Sequence, residues 1–391
     1  MASTDAPVVL RNLKIWDGDG VADADTLVMQ GSVISGVGDT SAIPANATTR
    51  DCAGLWAVPG LIDAHVHLEL NPDDKNAPSG SQAHQRPLMA QRAAAMVRAG
   101  ITTARDLGGG AWQELKLRDQ IAAGELLGPR LLCSGQPITT PTGHCHFWGG
   151  AAANLGEAEA VLDRQVARGV DLIKIMATGG RMTQGSSPSA AQFDVDTVRA
   201  LVQRADSHGL QVAAHCHGTA GIEVAAAAGV RTIEHCSWVG ESGWASDYQE
   251  PIAKLILDQG VWVSPTVNRG WQRMLDAPEG KVLGRVRSAY QAMMAMGIPF
   301  VASTDAGIPG VYHQDLAHAL VVFEQIAELG AERTLQSATR DAAIALGIES
   351  VTGALRPGLS ADLLLVGASP LESLTTLTEP AAVWAAGRSV R

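Results

Sequence analysis

Residues 211–235 read QVAAHCHGTAGIEVAAAAGVRTIEH, and this stretch decides the fold. Gln211–His215 is a short apolar run ending on a histidine. Ala220–Ala228 is apolar at helical spacing, and Gly229 just beyond it is the residue type that stops a helix in a left-handed turn. Thr232–His235 is a second short run ending on a histidine. Strand, helix and strand in so short a span read as a parallel pair with its crossover helix. The alternation extends in both directions. Further strands are expected at Leu61–His67, Thr102–Asp106, Arg130–Ser134, Leu172–Met176, Trp262–Pro265 and Phe300–Thr304. Helical patterns run over Pro87–Ala99, Trp112–Ala123, Glu157–Arg168, Val195–His208, Ile252–Gln259, Val282–Met296 and Gln314–Leu329. Gly100, Gly169, Gly209, Gly260, Gly297 and Gly330 follow several of them. Eight strand–helix units closed by parallel pairing predict an α/β protein built on a (β/α)8 TIM barrel. A doubly wound open sheet is the rival, but the glycine run Gly108–Gly110 matches no phosphate-binding fingerprint.

The ends differ from the middle. Residues 1–58 contain VVLRNLKIWDG and DTLVMQGSVISGVG; residues 349–391 contain SADLLLVGAS and PAAVWAAGRSV. Both mix β-branched residues with turn residues. They are expected to pair into one small sheet domain beside a barrel at residues 59–348. The 391 residues are 46% hydrophobic and 18% charged, enough for a large core and too apolar for wholesale disorder. Lys+Arg is 29 and Asp+Glu is 40, a net charge of −11, which argues against a nucleic-acid or anionic-membrane surface. No apolar run approaches the roughly 18 residues of a membrane helix. The first residues lack the basic start and apolar stretch of a signal peptide. Five scattered cysteines suit a reduced compartment, so a cytoplasmic location is expected.

The chemistry lies at the strand ends. His65 and His67 are two apart, so in a strand both imidazoles face the same side. Lys174 interrupts the apolar run DLIKIM. His215 and His235 end two strands, and Asp305 follows the last. In a barrel these ends converge on the face where active sites sit. Singly, each has an ordinary explanation: a hydrogen-bonded histidine, a salt-bridged lysine, a capping aspartate. Six ionisable residues at five strand ends are hard to reconcile with packing alone, because a buried polar group is costly unless paired.

The loops supply candidates for substrate contact. TPTGHCHFW at residues 140–148 holds His144 and His146, either of which could hydrogen-bond a carbonyl or carboxylate. His217 shares the face of His215. Nine tryptophans outnumber four phenylalanines and three tyrosines. Trp148, Trp238, Trp244 and Trp271 fall in loops at one end, as a wall for an apolar or aromatic group or as loop anchors. Arg181 and Arg269 could pair with a carboxylate or serve as surface charges. By alternation Cys216 and Cys236 point away from the histidines, as small buried hydrophobes. Segments 70–85 and 178–191 are polar and rich in small residues, readable as flaps or as inert loops.

VPGLIDAHVHLE at residues 58–69, with Lys174, His215, His235 and Asp305, resembles the amidohydrolase superfamily. The resemblance spans nearly the whole chain, including both β-rich ends, which in that superfamily form a small β-sandwich domain. RPGLSADLLLV at residues 356–366 is similar to the superfamily's return to that domain. AHCHGTAGIEVAAAAGVRTIEHCS and TPTGHCHFWGG are similar to the branch of Xaa-Pro dipeptidases and N-acyl amino acid hydrolases. Imidazolonepropionase is similar in its terminal strands but works with one metal and lacks the lysine. Single-metal deaminases show His-x-x-Glu where this chain has His215-Cys216-His217-Gly218.

The resemblance implies two divalent metal ions. His65, His67 and Asp305 would hold the more buried one, His215 and His235 the more exposed one, and an N6-carboxylated Lys174 would bridge them. Zinc is the first expectation; Mn2+ and Fe2+ suit the same donors. It implies hydrolysis of an amide or peptide bond in a small N-acyl amino acid or dipeptide-like substrate. A metal-bridging hydroxide would attack, with Asp305 as general base then acid and His144 close to the metals. The same centre would serve a cyclic amide, carbamate, phenylurea, lactone or phosphotriester. A non-catalytic barrel would be expected to have lost a ligand. Many relatives form homo-oligomers, though no interface is legible.

Overall fold

The computed structural model describes residues 6–38, 43, 46–74, 86–277 and 280–391. Short apolar runs broken by turn residues give β1 (Val8–Arg11), β2 (Lys14–Ile15), β3 (Leu27–Gln30), β4 (Val33–Val37), β5 (Thr48–Asp51) and β6 (Trp56–Pro59). The middle of the chain supplies β7 (Leu61–Val66), β8 (Ile101–Asp106), β9 (Arg130–Cys133), β10 (Leu172–Met176), β11 (Gln211–Gly218), β12 (Thr232–Val239) and β13 (Trp262–Ser264). The end adds β14 (Leu363–Val366), β15 (Ala382–Ala385) and β16 (Arg388–Ser389).

One sheet has the order β4-β3-β1-β5 and another β16-β15-β14-β6-β2, so the two ends of the chain do pair in one sheet. Leu10, Ile15, Met29, Ile34, Leu363 and Trp384 pack together as a buried core of their own. The middle strands form two all-parallel sheets, β7-β8-β9 and β10-β11-β12-β13. β7, β8 and β10 are buried at every residue, which explains their unbroken apolar character. Backbone hydrogen bonds link the sheets. Met176 N–H donates to Ile138 O at 2.8 Å and Asp305 N–H to His65 O at 2.9 Å.

Helices alternate with these strands: α1 (Arg86–Arg98), α2 (Gln113–Ala122), α3 (Leu155–Arg168), α4 (Val195–Ser207), α5 (Thr219–Ala228) and α6 (Glu250–Asp258). They continue with α7 (Gln272–Asp276), α8 (Lys281–Ala295), α9 (Leu316–Ala327), α10 (Ala331–Ser337) and α11 (Arg340–Leu346). Gly169 and Gly229 close α3 and α5 at φ 74° and 75°, the left-handed turn their positions predict.

The expected strand Phe300–Thr304 is different. The chain there is held by single bridges, Phe300 to Val263 and Ala306 to Val66. The end of α10 intrudes on its ladder: Ala302 N–H donates to Ser337 O at 2.9 Å, and Ile62 N–H to Ala338 O at 2.7 Å. The Asp63 carboxylate takes the Thr304 N–H at 3.1 Å and its hydroxyl at 2.6 Å. Among the described residues no helix is long and apolar enough to cross a membrane. Most of the 70–85 segment lies outside the described residues.

Candidate metal centre

Two sets of donors meet at the carboxyl ends of the parallel strands. In one, His65, His67 and Asp305 bring ligand atoms within 4.8 Å of one another. His65 Nε2 lies 3.3 Å from His67 Nε2, and Asp305 Oδ1 lies 3.2 Å from the first and 3.4 Å from the second. In the other, His215, His217 and His235 satisfy the same limit. His217 packs at 4.5 Å on both His215 and His235. The structure thus brings His217, expected beside the ligands, within the same distance limit as His215 and His235. His235 and Asp305 sit in left-handed backbone at φ 67° and 60°, the kind of strained conformation that clusters at functional sites.

The surroundings settle which nitrogen faces inward. His65 Nδ1 is 2.9 Å from the Glu234 carboxylate, so it carries the proton and donates it. His67 Nδ1 donates to Gly108 O at 3.0 Å. His215 Nε2 donates to Gly179 O at 3.1 Å. In each ring the other nitrogen keeps its lone pair, the arrangement found in metal-binding histidines. Burial, then the neighbouring imidazoles, hold His215 and His235 well below the usual histidine range and His217 down to about 3. Burial lowers His144 to about 4 against the pull of Asp305. Burial pushes the Asp305 carboxyl up, but the His65 and His67 imidazoles against it outweigh this and hold it well below the usual carboxylate range. Lys174 is buried, and its Nζ has no hydrogen-bond partner among the described residues. Burial brings it down to about 8, with Glu234 opposing.

These groups open on one cavity of about 420 Å³. His144, His217, Trp148, Trp238, Trp271 and Arg181 all line it. The Trp148 ring packs at 5.3 Å on His67. The Arg181 guanidinium lies 4.9 Å over Trp244, whose edge meets His217 at 4.7 Å. His146 and Arg269 do not reach the cavity. His146 begins a turn whose geometry faces it outward, with Nδ1 at 3.0 Å from Gly143 O. Arg269 is directed to Asp315 at 3.7 Å and is largely exposed. Cys236 is buried in the apolar core, as expected, but its place on the strand is irregular. Left-handed φ values at His235, Cys236 and Trp238 break the strand's alternation, and Cys236 lines the cavity. Cys216, where alternation holds, is buried and turned away, with Sγ on Ala214 O.

Sequence reasoning missed the supports. Arg105 on β8 donates to Glu234 Oε1 at 2.8 Å and to Ala64 O at 2.7 Å, and all three residues are buried. Asp106 accepts from Gly108 N–H at 2.9 Å and Leu68 N–H at 2.8 Å, shaping the loop that holds His67. His313 bonds the His67 carbonyl at 3.0 Å. The available signal was a charge inside an apolar strand: Arg105 in ITTARD and Glu234 in RTIEH.

Neutral imidazoles with inward lone pairs are what a metal-dependent hydrolase requires, and that is the class this chain falls into. More narrowly, it belongs to the amidohydrolase family, matched over residues 56–390, and acts on carbon–nitrogen bonds. It is 26% identical to the ochratoxinase of Aspergillus niger over 434 aligned positions, covering 99% of this chain and 88% of that one. It is 25% identical to the imidazolonepropionase of Mesorhizobium japonicum, covering 89% and 87%. Among solved structures, a Xaa-Pro dipeptidase with methionine bound in its active site superposes with a TM-score of 0.86 at 26% identity, covering 98% and 99%.

Proposed function

We propose that this chain is a binuclear metal-dependent amidase that hydrolyses the amide or peptide bond of an N-acyl amino acid or dipeptide-like substrate. One observation carries the reading: lone-pair atoms converge with no proton to share. His65 Nε2, His67 Nε2 and Asp305 Oδ1 lie 3.2–3.4 Å apart, while both Nδ1 protons are already committed to Glu234 and Gly108. Such a cluster repels itself unless a cation sits within it. In a tetrahedral zinc site, ligand atoms about 2.0–2.1 Å from the ion lie about 3.3–3.4 Å from each other. His215 and His235 are the donors for a second ion, with His217 beside them.

Lys174 fits a bridging role. Its unpartnered amine is held to about 8 by burial, so the neutral form is accessible near neutral pH; adding CO2 with loss of a proton would turn it into a carbamate, an anionic group suited to holding divalent ions. Zinc is the first choice for this donor set; Mn2+ and Fe2+ suit it too. Divalent ions held here supply Lewis acidity and a water activated near neutral pH.

The chain's own residues do the rest. Asp305 takes the proton of the attacking water on its carboxylate and returns it to the leaving nitrogen. The Thr183 hydroxyl accepts the Cys145 N–H at 2.9 Å and donates to His144 Nδ1 at 3.2 Å. That leaves His144 Nε2–H to donate to the substrate carbonyl. Arg181 pairs with a substrate carboxylate, in keeping with the amino acid held by the Xaa-Pro dipeptidase. Trp148, Trp238 and Trp271 exclude water and wall the apolar part.

The same reading takes the parallel sheets and the 300–306 segment as one closed (β/α)8 barrel over residues 59–348. The hydrogen bonds from Met176 to Ile138 and from Asp305 to His65 support closure. The sheets from residues 1–58 and 349–391 are then the two layers of a β-sandwich.

Asp305→Asn should retain metal and lose turnover by about 100-fold or more; near-normal kcat would refute the proton-transfer role. A panel of N-acyl amino acids against lactones and esters lacking a carboxylate should favour the first group. Equal rates on both would remove the carboxylate assignment.

A further inference from the structure

The cavity has one wall that the chemistry leaves unused. Val282, Val286, Ala289 and Tyr290 fall at helical spacing on a single face of α8, and all four line the cavity. Met274 of α7 and Trp271 before it extend this wall, and Trp238 of β12 lines the cavity as well. Val286, Ala289 and Tyr290 are almost fully buried. The inner face of α8 is therefore spent on a hollow as well as on packing, which a purely structural helix has no reason to do. None of the four α8 residues carries a charge. Of the lining cations, Arg273 is exposed, and its Nε donates to Gly270 O at 3.1 Å. Arg181 stands elsewhere, over Trp244 beside His217.

We propose that the α8 face is the acyl-binding arm of the site, which makes the substrate an amino acid acylated by a medium-length aliphatic or a single-ring aromatic acid. This deepens the amidase reading and rests on it. Against the four α8 residues a carboxylate would lose its hydration and gain at most the uncharged Tyr290 hydroxyl, so the amino-acid half goes to Arg181 and the acyl half to α8. A cavity of about 420 Å³ is near the small end of ligand sites of about 300–1,000 Å³, which limits the acyl chain to a few carbons beyond the carbonyl. Ala289 is the smallest side chain on the wall, and it sets the depth.

The test is a chain-length series on the metal-loaded protein: N-acetyl, N-butanoyl, N-hexanoyl and N-octanoyl derivatives of one amino acid. In the wild type kcat/KM should climb by about fourfold per methylene until the arm is full, then level off. Ala289→Phe should bring the plateau forward and cut the hexanoyl-to-acetyl ratio by about tenfold or more. Val286→Ala should move the plateau to a longer chain. Calorimetric binding of N-methyl and N-hexyl amino acids, which have no bond to cleave, runs in parallel. Loss of the hexyl preference in Ala289→Phe supports the arm even if no N-acyl compound is hydrolysed; that pattern would overturn the amide reading alone. Chain-length and binding ratios equal in the wild type and both variants would overturn the arm.

Discussion

Glu234 decides which nitrogen of His65 is free. Its Oε2 takes the Nδ1 proton at 2.9 Å, while Arg105 holds its Oε1 at 2.8 Å. Burial pushes this carboxyl up, but Arg105 and His65 outweigh it and keep it ionised, well below the usual range. Glu234→Gln removes the charge at nearly constant volume. It strands the Arg105 guanidinium and weakens the grip on the His65 tautomer. Metal affinity should fall by about 10–100-fold, and stability by about 3–5 kcal/mol, as for breaking a buried ion pair. Metal titration and thermal melting check both; unchanged affinity would show that Glu234 is a packing residue. The candidate ligands could be read from the chain because each interrupts or closes a short, largely apolar run of the sequence. The role of Glu234 could not, because its partner Arg105 is remote in sequence and in another sheet, and only the tertiary fold brings the two together.

At the level of loops and strands, the close approach of Gly180 to His144 bears on the cavity. A Cβ at Gly180 would meet the imidazole Nε2 at 2.5 Å. Gly180→Ala should displace the ring, lower kcat/KM by about tenfold or more, and leave metal content unchanged. Steady-state kinetics alongside metal analysis test this, and a variant with normal kcat/KM would free His144 from any catalytic part. Regular elements were legible: the expected strand Leu172–Met176 matches β10 at both ends, because period and end signals are local. Irregular backbone was not. The left-handed turns at His235 and Cys236 break the alternation of β12, and no residue type there announces them. The 300–304 segment lost its ladder to α10 and Asp63, partners that only the tertiary structure supplies.

For the whole molecule, the buried charges predict a pH response. His144 titrates at about 4 and His217 at about 3 in the folded chain, against an ordinary value of 6.5. His215 and His235 are also lowered, and burial takes His313 to about 3. The unfolded chain therefore binds protons that the folded chain refuses as pH falls below about 6.5, so acid removes stability. Each group contributes up to about 1.4 kcal/mol per pH unit. Burial raises Asp63 to about 7, Asp106 to about 6, and Glu114 well above the usual range, which acts the other way. The five histidines outnumber these three carboxyls. Metal-stripped protein should lose Tm steadily between pH 6.5 and about 4; a flat or rising Tm would contradict the burial assigned to the histidines. The pairing of the two chain ends in one sheet also had a signal at this scale, since both carry short β-branched runs broken by turn residues. Arg269 and His146 were misplaced because a loop's composition does not say which way its side chains turn.

The central claim is that two ions share one rim through Lys174. Metal analysis of the metal-replete chain beside its Lys174→Ala variant tests it most directly. About two ions per chain in the wild type, falling in the variant, is the result predicted. A wild type that holds at most one, or a variant that binds as many as the wild type, would contradict it.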